Sequence, residues 1–169
     1  MEIVPVDALS VACEVMEQLP RGAFLTVKCR HHVNTMTIGW GTIGVVWSRP
    51  VFVVGVRTSR YTFKLIEQAP DFTVTVPVTG SCKQELAFCG SRSGKVVNKF
   101  DACNLKVRPS EGVDTPTISI EGMHFECRTL LRTPMTPDLM AVELSDFYGA
   151  KDYHTFYYGE ILGCSRQTA

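Results

Sequence analysis

The sequence has little that would anchor it in a membrane or give it a net charge. Its 169 residues include 17 Lys and Arg and 17 Asp and Glu, so the formal net charge is zero. No stretch approaches the roughly 18 apolar residues that a membrane-spanning helix needs. Glu2 and Asp7 stand where a secretory signal would be basic. We therefore expect a cytoplasmic protein with neither nucleic acid nor a membrane surface as its partner.

The cysteines and histidines lack the spacing of a metal site. The seven cysteines form an odd set without a CxxC pair or finger-like spacing. We expect most of them to be small buried residues in a reducing compartment. His31 and His32 are adjacent, so on a strand they would point to opposite faces and could not easily ligate one ion. No metal site is predicted.

Three widespread functional motifs are either missing from the sequence or lie outside the context that gives them their function. A phosphate-binding GxxxxGK[ST] loop fails because Val96 follows Gly94 and Lys95. The GxGxxG spacing occurs once, from Gly39 to Gly44, but it runs into the predicted strand Trp40–Trp47 and does not open a helix, so it is not a dinucleotide fingerprint; there is no GxSxG elbow that would frame a nucleophilic serine. P-loop nucleotide hydrolysis, Rossmann-type dinucleotide binding and serine hydrolase chemistry are therefore not indicated.

The zero net charge conceals an uneven distribution along the chain. Between Gln18 and Arg108 there are thirteen basic and four acidic residues, so this middle region carries +9 and the two ends together carry −9. Folding can simply bring the opposite charges together and neutralise them. Alternatively, the basic middle region contains a pocket for an anion.

Hydrophobic spacing predicts an N-terminal helix from Ala8 to Leu19, capped by Asp7. Further helices are predicted over Arg60–Ala69, around Leu86 to Phe88, and over Val96–Phe100. Stretches rich in β-branched and aromatic residues predict strands over Ala23–Cys29, Val33–Ile38, Trp40–Trp47, Val51–Val56, Phe72–Val76, Met123–Leu131, Leu139–Phe147 and Phe156–Ile161. Alternating strand and helix units are absent, so we predict one mainly β domain over residues 1–169, a closed or nearly closed antiparallel barrel with a few peripheral helices.

One predicted strand carries a candidate surface for a planar ring. Asn34, Thr35 and Thr37 offer hydrogen-bonding groups, while Met36 and nearby Trp40 offer soft or flat apolar surface. This mixture suits a heteroaromatic ring with polar edges. A Thr-rich strand beside a buried Trp is also common in proteins that bind no such ring.

Two basic, hydroxyl-rich segments are candidates for holding a phosphate. The first runs from Arg57 to Thr62 at a strand-to-helix junction, where guanidinium and hydroxyl groups converge. The second runs from Ser91 to Lys95. The alternatives are a helix cap formed by Ser59 and an ordinary surface turn.

These segments occur in an order that resembles the flavin reductase-like family with the FMN-binding split-barrel fold, especially its flavoredoxin-type members. The resemblance covers about residues 22–162, with the N-terminal helix before it. It rests on Asn34 to Trp40, Ser48-Arg49-Pro50, Arg57 to Thr62, Glu85 to Gly90, Ser93-Gly94-Lys95, Lys99-Phe100, Phe125 to Arg128, His154-Thr155 and Gly159-Glu160-Ile161.

The resemblance implies a homodimer that binds FMN non-covalently near the subunit interface in a Greek-key-like split barrel. Asn34, Thr35, Met36, Thr37 and Trp40 would then line the isoalloxazine. The residues implied at the phosphate are Arg57, Thr58, Ser59, Arg60, Tyr61, Thr62, Ser93, Lys95 and Lys99. Those implied to approach the flavin from the last strand are His154, Phe156 and Tyr157.

The implied activity is that of an FMN-dependent oxidoreductase, either an NAD(P)H-dependent flavin reductase or an electron carrier served by a redox protein. NADH or NADPH is then a candidate donor. A non-catalytic module that stores or senses flavin, and a split barrel that binds another ligand such as heme, remain open. Cys89 lies within the matched motif, where it is either a redox thiol or a small buried packing residue.

Overall fold

The computed structural model describes residues 2–168, in which strands predominate over helices. The strands are β1 (Glu2–Pro5), β2 (Ala23–Cys29), β3 (His32–Ile38), β4 (Gly41–Val46), β5 (Arg49–Arg57), β6 (Asp71–Pro77), β7 (Val107–Arg108), β8 (Thr117–Ile118), β9 (Gly122–Pro134) and β10 (His154–Thr168). The α-helices are α1 (Ala12–Gln18), α2 (Tyr61–Ile66), α3 (Lys83–Ser91) and α4 (Lys99–Ala102). Short 3₁₀ helices span Leu19–Arg21, Pro137–Leu139 and Val142–Tyr148.

Eight of the strands form one antiparallel sheet. Its order is β3-β2-β6-β9-β10-β5-β4, with β1 paired to β10 as well. The sheet curls far enough for β3, at one end of this order, to contact β5. β7 and β8 form a separate two-stranded hairpin. The prediction of a mainly β, antiparallel, barrel-like domain with few helices is confirmed.

The hairpin between β4 and β5 shows how local sequence sets the strand register. Val46 pairs with Arg49, leaving Trp47 and Ser48 as the two turn residues, with φ of 51° and 55°. Two successive positive φ values are typical of the tight turn whose twist matches that of the flanking strands. The turn therefore starts β5 in the register that carries it to the strand-to-helix junction at Arg57.

The main core lies within the curled sheet and is closed by α1 and α2. Phe52 and Phe125 pack edge to face there, with ring centroids 5.2 Å apart. A second apolar cluster lies on the outer side of β2 under α3, where Phe24 contacts Leu86 and Cys89. Removing such side chains from water is the main stabilising contribution to a fold of this size. The two clusters hold β2 and β3 between them.

The structure differs from the predicted elements mainly near the C-terminus. Leu139 to Phe147 was predicted as a strand, but 3₁₀ helices occupy Pro137–Leu139 and Val142–Tyr148. Leu139 and Val142 are 86% and 84% exposed, so the apolar residues that suggested a strand have no sheet face to bury them. That prediction was wrong.

The two ends of the chain also differ from prediction. Asp7 accepts a hydrogen bond from the backbone N–H of Ser10 at 2.8 Å, and this turn delays the start of α1 to Ala12. β1 was not predicted, and it pairs with the end of β10 as far as Thr168. Among residues 2–168, no helix combines the length and apolar character needed to cross a membrane.

Candidate functional site

Two adjoining cavities lie where β3, the β5–α2 junction and the end of α3 meet. The larger, about 210 Å³, is called the ring cavity here, and the smaller, about 100 Å³, the basic cavity. Both are lined by Met36, Arg60 and Gly90. The ring cavity is also lined by Thr37, Ile38, Gly39, Trp40, Gly55, Arg57 and His154. The basic cavity is also lined by Ser59, Tyr61, Thr62, Cys89, Ser91, Arg92, Ser93, Gly94 and Lys99.

β3 forms one wall of the ring cavity, and most of its polar side chains are already engaged within the protein. The Thr35 hydroxyl donates to the Leu25 carbonyl at 3.2 Å, and the Thr37 hydroxyl donates to the Leu86 carbonyl at 2.6 Å. These side chains were predicted to reach the ring. β3 is the terminal strand of the sheet, so one edge of its backbone points away from its strand partner. Apart from the Thr35 carbonyl, which accepts a hydrogen bond from Lys99, this outer backbone edge is the remaining source of polar groups on β3.

An aromatic cluster forms the opposite wall of the ring cavity. The Trp40 ring is 42% exposed and lies 4.9 Å from the His154 ring and 5.5 Å from the Phe147 ring, measured between centroids. The Arg57 guanidinium lies over Trp40 and Tyr148, 5.9 and 5.1 Å from the ring centroids. Such cation–π contacts hold flat surfaces in place. The wall is therefore aromatic and positively charged along one edge.

The imidazole of His154 is held neutral in this wall. Burial lowers its pKa to about 4, and the nearby positive charges of Arg57 and Arg60 act in the same direction. Its Nδ1 lies 2.8 Å from the Tyr148 hydroxyl oxygen. At neutral pH, His154 therefore offers hydrogen bonds without adding a charge.

Lys99 places a buried cation at the basic cavity. Its side chain is 3% exposed, and its ammonium group donates to the carbonyls of Thr35 at 2.9 Å and Cys89 at 2.8 Å. Burial lowers its pKa, and the charge of Arg60 lowers it further. The ion pairs found within residues 2–168 do not include Lys99. A buried ammonium without a carboxylate favours an anion beside it.

Arg60 and Thr62 lie beside Lys99 at the same cavity. Among the described residues, no side chain or carbonyl engages the Arg60 guanidinium in a hydrogen bond or ion pair. The Thr62 hydroxyl is buried and accepts a hydrogen bond from the Asn34 amide at 2.8 Å, which leaves its own proton to donate. Two cations and a hydroxyl donor therefore converge on one small space.

The first half of the junction, Arg57 to Ser59, forms hydrogen bonds within the protein instead of facing the cavity with free donors. Asp152, just before β10, accepts hydrogen bonds from the Thr58 hydroxyl at 3.1 Å, the Ser59 N–H at 3.0 Å and the Ser59 hydroxyl at 2.5 Å. Arg57 donates to the carbonyls of Asp152 and Phe147. Burial alone would raise the pKa of Asp152, but these hydrogen bonds and the charge of Arg57 together lower it. A carboxylate of the protein thus occupies the donors of Thr58 and Ser59.

Several predicted site residues lie elsewhere. Tyr157 is fully buried in the core and its hydroxyl donates to Glu67 at 2.7 Å. Successive residues of a strand face opposite sides, so Tyr157 cannot share the face of His154 and Phe156, and its predicted approach to the ring is corrected. The Phe156 ring stacks on His154 with centroids 6.1 Å apart, behind the cavity wall.

The Ser93–Lys95 loop is divided between two cavities, and Cys89 is a buried thiol beside one of them. Ser93 lines the basic cavity, whereas Lys95 lines a neighbouring concavity together with His31 and His32. Burial raises the pKa of the Cys89 thiol to about 12, with a contribution from nearby Cys103. A thiol with so high a pKa is a poor nucleophile at neutral pH, which favours a packing role for Cys89.

Sequence reasoning missed Tyr148 and Asp152. Both belong to the segment from Pro137 to Tyr153 that was predicted to contain a strand, and both reach the site only through tertiary packing. The density of aromatic residues at Phe147, Tyr148 and Tyr153, next to His154, was the available signal.

Comparison with known proteins places this architecture in a family. A sequence model of the flavin reductase like domain matches residues 16–168, nearly the whole chain. Among curated proteins, the chain is 29% identical over 143 residues to an uncharacterised protein of Archaeoglobus fulgidus, covering 85% of this chain and 71% of the other.

Solved structures show the same fold. Flavoredoxin of Desulfovibrio vulgaris (Miyazaki F) superposes with a TM-score of 0.68 at 22% identity, covering 86% of this chain and 69% of that one. The FMN-binding domain of a flavin reductases-like enzyme from Shewanella baltica OS155 superposes with a TM-score of 0.69 at 18% identity, covering 98% and 77%.

Proposed function

The chain belongs to the family of flavin reductase like domains, and we propose that it binds FMN non-covalently and acts through it as an oxidoreductase. The ring would occupy the ring cavity and the phosphate the basic cavity. When bound, FMN supplies hydride and electron transfer at its ring, and the protein supplies position and electrostatics.

One observation carries the proposal: the two cavities join opposite kinds of surface. Lys99 and Arg60 bring two cations to one end, and Lys99 is buried without a carboxylate partner among the described residues. Trp40 and His154 line the other end. A ligand that satisfies both ends has a planar ring joined to an anion. FMN has this character, and the solved structure from Shewanella baltica is of an FMN-binding domain.

Each end has a distinct task in the proposed complex. Lys99, Arg60 and Thr62 would hold the phosphate through charge-assisted hydrogen bonds. The free backbone edge of β3 would hydrogen-bond the polar side of the ring, and Trp40 would cover its apolar part. The positive charge of Arg57 at the ring cavity favours a ring that gains negative charge.

The source of electrons is either NADH or NADPH, as in a flavin reductase, or a reduced redox protein, as in an electron carrier. Anaerobic absorbance spectra of the FMN-loaded protein distinguish them. We expect dithionite to bleach the flavin band in both cases. Bleaching by NADH or NADPH at a steady rate identifies a reductase. Bleaching by a reduced ferredoxin-type protein, but not by NADH or NADPH, identifies a carrier that another protein serves.

Two outcomes of the same experiment contradict the proposal. A flavin that stays oxidised with every physiological donor class, including reduced ferredoxin-type proteins, indicates a storage or sensing module. No flavin band after incubation with FMN and gel filtration indicates a different ligand, for which heme is the next candidate to test.

We also propose a homodimer with the site near its interface. Phe147 and Trp40, beside the ring cavity, are 55% and 42% exposed, and Leu139 and Val142 of the adjoining segment are more exposed still. Burying such side chains against a second copy would stabilise the assembly. Sedimentation velocity at micromolar concentration is expected to show a dimer, and a monomer with FMN bound contradicts an interface site.

A further inference from the structure

We infer that Tyr148 is a positioning residue: its hydroxyl fixes the tautomer of His154 so that the Nε2–H of His154 donates into the ring cavity. Only the consequence for a bound ring rests on the proposed function. The tautomer itself is a property of the protein without ligand.

The two side chains form a buried pair. Tyr148 is 6% and His154 is 8% exposed, and the Tyr148 hydroxyl oxygen lies 2.8 Å from His154 Nδ1. Their rings meet edge to face, with centroids 5.6 Å apart. The Tyr153 ring also packs against Tyr148 in a tilted arrangement, with centroids 5.1 Å apart. Both rings are therefore held in one orientation by packing.

The direction of the hydrogen bond follows from the acidities of the two groups. Burial raises the pKa of Tyr148, so its hydroxyl keeps its proton and can donate. A phenol is a stronger donor than a neutral imidazole N–H, and an imidazole nitrogen is a stronger acceptor than a phenol oxygen. The competing acceptor is the Met135 sulfur at 3.1 Å, and a thioether accepts only weakly. The hydroxyl therefore donates to Nδ1, which must be unprotonated.

The charged groups around His154 keep it from taking a second proton at neutral pH. Burial is the main cause of its lowered pKa, reinforced by Arg57 from β5 and Arg60 from the junction. Asp152, in the segment before β10, acts in the opposite direction but is outweighed. Tyr148 faces the ring from the 3₁₀ helix. A neutral imidazole with an unprotonated Nδ1 carries its only proton on Nε2.

His154 lines the ring cavity, and because Tyr148 engages its Nδ1, Nε2 is the ring nitrogen left for a ligand there. With Nδ1 turned to Tyr148, the Cδ2 edge beside Nε2 lies 3.2 Å from where a Cβ on Gly55 would be. Gly55 and His154 both line the ring cavity. The N–H is thus offered to a carbonyl oxygen, or to a ring nitrogen that gains negative charge. Tyr148 acts on the ligand through His154 and does not contact it in this scheme.

The tautomer can be measured directly by ¹⁵N NMR of histidine side chains in the protein without FMN. At pH 7 we expect His154 Nδ1 to resonate as an unprotonated nitrogen and Nε2 as a protonated one. Tyr148→Phe should shift both resonances towards the average of a tautomer mixture. It should also raise the pKa of His154 above its value of about 4, because a hydrogen bond to the neutral form is lost.

Two matched variants separate this role from a structural one. Tyr153→Phe removes a hydroxyl from the neighbouring ring and should leave the His154 resonances unchanged. Met135→Leu removes the competing acceptor and should also leave them unchanged. A protonated Nδ1 in the wild type overturns the inference, as does a Tyr148→Phe variant with unshifted His154 resonances.

A second readout concerns the loaded protein. We expect Tyr148→Phe to lower the reduction potential of bound FMN and to slow its reduction about fivefold, the loss expected for one neutral hydrogen bond of about 1 kcal/mol. An unchanged potential contradicts the role of the N–H. If wild-type protein binds no FMN, the proposed function fails while the NMR result still decides the tautomer.

Discussion

The six residues from Arg57 to Thr62 divide into two halves that serve different purposes. Arg57, Thr58 and Ser59 hold the segment before β10, and most of their donors are used by Asp152 and nearby carbonyls. Arg60 and Thr62 face the basic cavity with donors still available. Residues that are adjacent in sequence and similar in chemistry thus take different roles, because folding brings different groups next to them. A basic, hydroxyl-rich run marks a place where an anion binds, but one of the anions here belongs to the protein.

The largest loss of FMN affinity is expected from a substitution of Lys99. This residue, on α4, lies beside Arg60 and Thr62 at the basic cavity. Lys99→Met should weaken FMN binding about 100-fold, since one hydrogen bond to a charged group contributes about 1.5–3 kcal/mol. Riboflavin, which lacks the phosphate, should lose much less affinity. Flavin fluorescence titrations of both ligands measure the difference.

Lys95→Met is the matched control for that experiment. Lys95 is exposed on the neighbouring concavity, so its loss should change either affinity less than about threefold, as for an exposed charge pair. Lys99→Met should also lower the thermal midpoint, because the carbonyls of Thr35 and Cys89 lose their buried donor. Equal losses for FMN and riboflavin in a folded Lys99→Met variant contradict the phosphate assignment.

Smaller losses of FMN affinity are expected from substitutions within the Arg57–Thr62 junction, and they should differ between its two halves. Arg60→Ala or Thr62→Ala should weaken FMN about tenfold with little change for riboflavin, as each removes one phosphate contact. Thr58→Ala should leave the ratio of the two affinities unchanged, because its hydroxyl is bonded to Asp152. If Thr58→Ala changes that ratio as much as Arg60→Ala does, the division of the junction is wrong.

The smallest effect, a loss of stability, is expected from Asp152→Asn. This variant tests whether Asp152 holds Thr58 and Ser59 in place. The pKa of Asp152 is lowered in the folded protein, so its carboxylate stabilises the fold above the unfolded pKa of about 3.9. That contribution is lost as the pH falls through the folded pKa. At pH 7 the variant should be about 1 kcal/mol less stable, a shift of about 2–4 °C in thermal midpoint.

Thermal unfolding followed by circular dichroism from pH 7 to about pH 3 measures how the stability contributed by Asp152 depends on pH. The difference in thermal midpoint between the Asp152→Asn variant and wild type should become smaller as the pH falls towards 3. Asp146→Asn, at an exposed position, should have the same thermal midpoint as wild type. A difference that is constant with pH means that the charge of Asp152 does not hold the segment.

The fold could be predicted where a segment's own pattern matches its environment. β2, β3, β5 and β6 combine β-branched, aromatic and other apolar residues and are packed against a core, so propensity and burial agree. The pattern of Leu139 to Phe147 has no matching burial, and 3₁₀ helices form instead. β1 is four residues long and exposed, and it depends on its pairing with the end of β10, which no local signal reveals.

Among the site residues too, those that could be predicted lie in segments with a clear local pattern. Met36, Trp40, Arg60, Thr62 and Lys99 lie in segments whose order and composition indicated the cavities. The alternation of β10 separates Tyr157 from His154, and a motif does not record on which face each residue falls. Asp152 and Tyr148 reach the site through contacts across more than one element, and such contacts exist only after folding.

In the proposed complex, one end of the site recognises a phosphate and the other a flat ring. The ratio of the dissociation constants of riboflavin and FMN for the wild-type protein tests it most directly. With the phosphate on Lys99, Arg60 and Thr62, we expect FMN to bind at least about 100-fold more tightly than riboflavin. Equal affinities for the two flavins would contradict a phosphate site at Lys99, Arg60 and Thr62.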